Sequence, residues 1–358
     1  MPPVPETAAE LGLEVPLAHV ERELKALFSS EAAVTRASLM NFAIYSEEIG
    51  SLEQSTELIR TVTREHACRT LLIAVQRTAP ELRVRSWVTA HCNVASNGGK
   101  RVCSEQITFL VEGGGPYLVP NMVFSRLDSD LPLVFWWRGP FSENFDFTLY
   151  SRIDRLMIDS STWAAPLAEF ERLEAAFREP ATRFAVLDLT WTRLLPLRLA
   201  LAACYDDPAA LAELPRVNRV ELRHGATHCL AARMLVAWMA HQAGWTWRDP
   251  GGGAGEFRFE SREGLEVNIR LEVSESDQPV ESLCVQGPAG FCRVEQEPGG
   301  QFLRSIVSYG PSRSDHLIPA GARTLSELVI ERLSRGCNNR TYFSMLNTVR
   351  LMLQTVGS

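Results

Sequence analysis

Apolar residues at Leu17, Val20, Leu24, Leu27 and Phe28 recur at the spacing of one helix face, so the pattern predicts a helix over 17–28. The Pro-rich residues 1–16 before it form a separate N-terminal arm or an edge extension. Continuous apolar runs mark strands at 38–45 and 69–76, and 51–65 between them has helical periodicity, with Ser51 as its N-cap. Strand, helix and strand at that spacing make a βαβ unit and imply a parallel pair. Two longer strands, 82–94 and 102–111, flank Ser96-Asn97-Gly98-Gly99, a strong hairpin turn, and should pair antiparallel. The glycine run at 113–115 opens a segment to 127 that is predicted helical. Residues 131–136 are a short apolar strand bounded by Pro132, Gly139 and Pro140. A further strand lies within 151–159, a helix at 166–177, a strand at 184–189, and a helix from Thr190 to about residue 204.

The second half changes character. A strand at 217–223 and a helix at 226–243 lead to 245–255, WTWRDPGGGAG, which is predicted as a loop. Alternating strands follow at 256–260, 265–273, 281–286, 290–295 and 301–307, an antiparallel meander with one solvated face. Helices at 324–334 and 340–354 close the chain. The expected fold is α/β: a mixed, largely parallel sheet flanked by helices, followed by a smaller α+β domain with an antiparallel meander. The division is an arm at 1–16, an α/β domain at 17–215 and a C-terminal α+β domain at 216–358, with the boundary placed loosely near 210–225.

Three of the first-half strands end in polar or indole groups: Trp136, Trp137 and Arg138; Asp159 and Ser160; and Asp188, Trp191 and Arg193. If those strands are parallel neighbours, the three clusters share one sheet edge, where ligands and partners of open α/β sheets are met. Indole and guanidinium groups dominate binding hot spots, so these eight residues are the candidate partner or ligand site. The opposing reading makes the indoles core packing, and Asp188 and Thr190 caps of the next helix. Arg138, Arg193 and helix N-termini would also suit a sugar phosphate, which keeps a sugar-phosphate-binding sensor or enzyme as the alternative function.

Composition narrows the field. Of 358 residues, 46% are hydrophobic and 22% charged, enough apolar material for a core. A net charge of −7 without a Lys/Arg block argues against nucleic acid as a partner. No apolar stretch is long enough to span a membrane, and MPPVPETAAE lacks the features of a signal peptide, so a cytoplasmic location and no membrane partner are expected. Eight cysteines without a CxxC are expected to be thiols. Cys92 and Cys103 flank the hairpin; they form either a redox pair or two buried structural thiols, and register decides whether they face each other. His91 and Cys92 point to opposite faces of a strand and make a poor nucleophile–base pair. His224 and His228 share a helical spacing near Cys229, but no HExxH glutamate or further ligand accompanies them, so no metal is expected. Neither glycine run forms GxGxxG or a P-loop. No cofactor and no catalytic set are expected.

AHC at 90–92, RVCSEQIT at 101–108, LPLVFWWRGP at 131–140, RLMIDSS at 155–161 and DLTWTRLLPLR at 188–198, in that order, resemble the glucose-6-phosphate dehydrogenase assembly protein family, OpcA. A weaker likeness continues through GATHCLAARMLVAWMAHQAGW to the C-terminal helices. The resemblance implies a non-catalytic assembly factor or allosteric activator of glucose-6-phosphate dehydrogenase, at the entry to the oxidative pentose phosphate pathway. It also implies redox regulation of that step, which adds interest to Cys92 and Cys103 and makes thioredoxin a candidate second partner. No catalytic residue is carried over.

Overall fold

A strand with an unbroken apolar run must be covered on both faces, and LLIAV at 71–75 is such a run. The computed structural model describes residues 11–29, 34–36, 38–48, 50, 52–94, 101–113, 118–322, 324–336 and 339–355. In chain order the elements begin with β1 (Leu13–Glu14), α1 (Val20–Ser29), β2 (Val34–Arg36), β3 (Asn41–Ser46), α2 (Leu52–Glu65), β4 (Arg69–Gln76), β5 (Arg83–Val94), β6 (Arg101–Glu112), α3 (Leu118–Phe124), β7 (Leu133–Arg138), α4 (Phe147–Tyr150), β8 (Arg155–Ile158), α5 (Pro166–Arg178) and β9 (Ala185–Asp188). They continue with α6 (Leu189–Arg193), α7 (Leu195–Cys204), α8 (Pro208–Glu213), β10 (Arg219–Gly225), α9 (Cys229–Ala243), β11 (Thr246–Asp249), β12 (Glu256–Glu260), β13 (Glu266–Ser274), β14 (Ser282–Gly287), β15 (Gly290–Gln296), β16 (Phe302–Tyr309), β17 (Ser312–Pro319), α10 (Leu325–Ser334) and α11 (Asn339–Gln354).

Two compact units emerge. The first comprises 1–162, 172–187 and 324–337; the second comprises 163–171, 188–323 and 338–358. The chain thus crosses between them more than once, and 188–215, read from sequence as part of the first domain, clusters with the second unit.

The first sheet runs β1-β5-β6-β4-β3-β7-β8-β9, with β2 beside β6. β3 lies parallel to both β4 and β7, β4 parallel to β6, and β7 parallel to β8, while β5 pairs antiparallel with β6. This is the mixed, largely parallel sheet that the βαβ spacing implies. Every residue of β3 is buried, as is all of β4 except its last residue, so helices and loops cover both faces. α10 completes this unit. His66 Nε2, at the end of α2, lies 3.2 Å from the Ile330 carbonyl, and the buried Arg332 reaches the Val186 carbonyl at 3.3 Å.

The second sheet runs β11-β12-β13-β10-β14-β15-β16-β17. β12 with β13, and β14 with β15 and β16, pair antiparallel as the meander expects, but β13 and β14 are not neighbours: β10 inserts between them and lies parallel to β13. The helix α9 that follows β10 supplies the long crossover that a parallel neighbour needs. Burial alternates along β12, β13 and β16, the signature of a sheet with one packed and one solvated face.

Three further expectations change. Residues 246–249, predicted as loop, form the edge strand β11, because Trp247 packs at 5.8 Å on Phe257 and 5.4 Å on Phe259. The helix expected from Thr190 to residue 204 is two helices, α6 and α7, divided at Leu194. Pro196, in the first turn of α7, lacks the N–H that a continuous helix requires. β17 was not expected; its mostly exposed, polar residues carry little apolar pattern. The Ser51 cap and the 96–99 turn lie outside the described residues.

Candidate partner-binding site

Strand β7 carries the WWR triplet. Paired on both sides, it sends Trp136 and Trp137 into the interior, at 2% and 1% exposure. Trp136 stacks 6.5 Å from Phe42. Trp137 sits 4.3 Å from Tyr45, and its Nε1–H donates to the Pro140 carbonyl at 2.9 Å. Neither indole offers a face to a partner. Arg138, at the strand end, is half-buried: its guanidinium lies 5.5 Å over the Trp136 ring and donates to Ser55 Oγ at 2.7 Å. Burial lowers its pKa, and the nearby charges of Glu48 and Asp159 oppose that shift. Asp159, at the end of the parallel neighbour β8, accepts from Ser161 Oγ at 2.6 Å, and Ser160 beside it is fully buried. The first unit therefore brings Arg138 and Asp159 into one electrostatic group, as the parallel-neighbour reasoning anticipates.

Beyond β7 the backbone turns at Gly139, whose φ of 88° suits glycine. The following loop lines a groove of about 410 Å³ with Phe141, Glu143, Phe145, Tyr150, Arg172 and Glu179 among its walls. Phe141 and Phe145 stack at 4.1 Å, and Trp137 supports both from beneath at 5.7 and 5.4 Å. Arg172 donates to the Phe141 carbonyl. Asn144 Nδ2 donates to the Tyr45 hydroxyl at 2.7 Å, Tyr45 donates to Glu47 at 2.8 Å, and Ser142 also donates to Glu47. Burial, with Glu47 alongside, pushes the Tyr45 phenol well above its usual pKa, so it stays a neutral donor. Arg77 bridges Glu47 at 3.2 Å and Glu143 at 2.5 Å. Sequence reasoning missed this groove. Its signal was available: seven aromatic residues fall within 135–150.

The other predicted residues belong to the second unit. Asp188 is buried and caps α6, accepting from the Thr190 N–H at 2.9 Å and from the Tyr342 hydroxyl at 2.8 Å. This is the capping role weighed for it from sequence. Trp191 is half-buried; the Arg198 guanidinium lies 3.4 Å over its ring and Tyr342 meets it edge-on at 6.1 Å. Arg193 is half-buried on the same short helix.

Cys92 and Cys103 stand directly opposite each other on β5 and β6, with Cα atoms 4.0 Å apart, and form a disulfide. Register, undetermined from sequence, thus replaces two thiols with one bond. His91 turns the other way, its Nε2 2.8 Å from Gln106 Oε1. His224 and His228 do not converge: His224 Nδ1 meets the Gly225 carbonyl at 2.8 Å and His228 Nε2 the Asp277 carbonyl at 3.1 Å. No helix among the described residues is long and apolar enough to cross a membrane.

Among solved structures, a 3-ketoreductase from Actinomadura kijaniata is 11% identical, with 87% of this chain and 95% of that one covered at a TM-score of 0.44. Gal80p of Saccharomyces cerevisiae is 8% identical, with 90% and 97% covered at 0.46. At these values neither likeness carries a functional inference. A Synechocystis sp. protein described as the OxPP cycle protein OpcA is 22% identical over 192 residues, 52% of this chain. The match spans only 39% of that relative's length. Residues 60–175 match the family model of the glucose-6-phosphate dehydrogenase subunit N-terminal domain, and 184–346 match that of its C-terminal domain. With both domains present in order, the chain belongs to the OpcA family of glucose-6-phosphate dehydrogenase assembly subunits.

Proposed function

We propose that this chain is a non-catalytic assembly factor and allosteric activator of glucose-6-phosphate dehydrogenase, in the oxidative pentose phosphate pathway. The observation that carries the reading is the succession of both dehydrogenase-subunit domains along the chain. The site chemistry agrees with it. The carboxylates at the strand ends are engaged in caps and turns: Asp188 holds α6, and Asp159 holds the turn at 159–162. What remains reachable is contact chemistry, namely Arg138, the aromatic groove beyond it, and in the second unit the stacked Trp191–Arg198 pair with Arg193. Such groups act by binding one conformation or oligomer of a partner better than another. The sugar-phosphate alternative has less support, since Glu48 and Asp159 place negative charge beside Arg138.

The test is the dehydrogenase's saturation curve for glucose 6-phosphate with and without the chain, with gel filtration of the mixture. A shifted curve and co-elution are expected. Arg138→Ala should raise the concentration of chain needed for half the effect on the order of tenfold, the loss of one hot-spot contact. Unchanged kinetics with no co-elution would overturn the reading.

A further inference from the structure

At the junction of β10 and α9 the second unit assembles a cluster outside the residues proposed above for partner binding. Cys229 is the first residue of the 15-residue helix α9, where the free N–H groups and the helix dipole favour a negative charge. Its side chain is partly exposed. Two buried groups converge on its sulfur. Arg233, one turn along α9 and only 8% exposed, places Nη1 2.8 Å from Sγ. Its Nε has no hydrogen-bond partner. His224, at 1% exposure, lies beside the same cysteine and interacts electrostatically with it. A carbonyl only accepts, so the contact of His224 Nδ1 with the Gly225 carbonyl at 2.8 Å fixes the proton on Nδ1. That leaves Nε2 as the nitrogen able to take the thiol proton.

The backbone holds this arrangement in place. The Gly225 N–H donates to the Gln278 carbonyl at 3.1 Å, and a Cβ on Gly225 would come within 2.3 Å of the Ser276 carbonyl. Only glycine lets the 274–278 turn close on this corner, and with it the carbonyl that orients His224.

We propose that Cys229 is a nucleophilic thiolate, ion-paired with the His224 imidazolium and the Arg233 guanidinium, and a modification site for hydroperoxides. The sulfur attacks the nearer peroxide oxygen; an S–O bond forms and the O–O bond breaks. Sulfur loses two electrons to give a sulfenic acid, and the peroxide gains them. The departing hydroxide or alkoxide takes the His224 proton and leaves as water or alcohol. Arg233 stays beside the oxidised sulfur, with Nε–H still to offer. The titration tendencies agree. Burial pushes the Cys229 thiol up, but His224 and Arg233 outweigh it and the pKa falls, while the neighbouring Cys229 raises that of His224 against its burial.

The full chain supplies its own control. Cys284 is also partly exposed, yet burial raises its pKa. Iodoacetamide labelling at pH 7, read by mass spectrometry, should modify Cys229 on the order of tenfold faster than Cys284. Hydrogen peroxide followed by dimedone should leave an adduct on Cys229 and none on Cys284. His224→Gln and Arg233→Met should each slow Cys229 and leave Cys284 unchanged, the latter reporting an intact fold. Equal rates at Cys229 and Cys284 in the unaltered chain would overturn the proposal without recourse to any variant. So would fast alkylation with no dimedone adduct after peroxide, or a Cys229 rate unmoved by His224→Gln in a folded chain.

Discussion

The two sheets of this chain solve opposite problems. Strands β3, β4 and β7 of the first sheet are buried at nearly every position. Strands β12, β13 and β16 of the second alternate between buried and exposed. Along those three strands of the first sheet nearly every side chain meets a packed neighbour, so chemistry there is confined to strand ends and the loops leaving them. In the second, half the side chains face solvent, and the reactive corner lies where a strand passes into a helix. An indole inside a strand of the first kind is consequently a packing element, however much its identity suggests a contact.

The largest expected difference between the sheets is in packing. Phe135→Ala on β7 should destabilise the first unit by about 3–5 kcal/mol, whereas Arg270→Ser on the exposed face of β13 should change stability by no more than about 0.5 kcal/mol. Denaturant titration with hydrogen exchange resolves the two; equal effects would dissolve the distinction. Next comes the buried cap in the second unit. Asp188→Ala removes the acceptor of both the Thr190 N–H and the Tyr342 hydroxyl, and should cost about 2–3 kcal/mol. Tyr342→Phe, which leaves the cap bond in place, should cost about 1 kcal/mol.

The smallest effect is one of sign. His91 in the first unit has its pKa lowered, chiefly by burial. Its contribution is present above about pH 6.5 and is lost as pH falls through its folded value. His224 in the second unit has its pKa raised, chiefly by Cys229. Its contribution is full below about pH 6.5 and is lost as pH rises through its folded value. Hydrogen exchange on β5 and on β10 between pH 5 and 8 should therefore drift in opposite directions, and His91→Gln and His224→Gln should each flatten one of the drifts.

Much of the architecture was legible because its signals are local. The apolar run at 69–76 became β4 without a change of boundary, and the capping pair Thr324 and Glu327 opens α10 where periodicity placed a helix. What escaped depended on distant partners. β11 is a strand because Phe257 and Phe259 receive Trp247. β10 lies parallel to β13 because of where α9 returns the chain, which no hydrophobic alternation encodes. The site was legible in the same uneven way. The join of Arg138 with Asp159 followed from parallel strand order, whereas the burial of Trp136 and Trp137 depended on what covers β7. The pairing of Cys92 with Cys103 hung on a one-residue register.

The return of α10 to the first unit has a consequence for biosynthesis. A ribosome releases the chain in order, and domains ordinarily fold as they emerge. Here the first body lacks its final strap until about 140 further residues, nearly the whole of the second body, have been made. During that interval α10, whose Ile330 and Arg332 meet His66 and the Val186 carbonyl, is not yet synthesised. The nascent chain must keep an incomplete body out of aggregates until its last helices arrive, which makes completion of the two bodies nearly simultaneous.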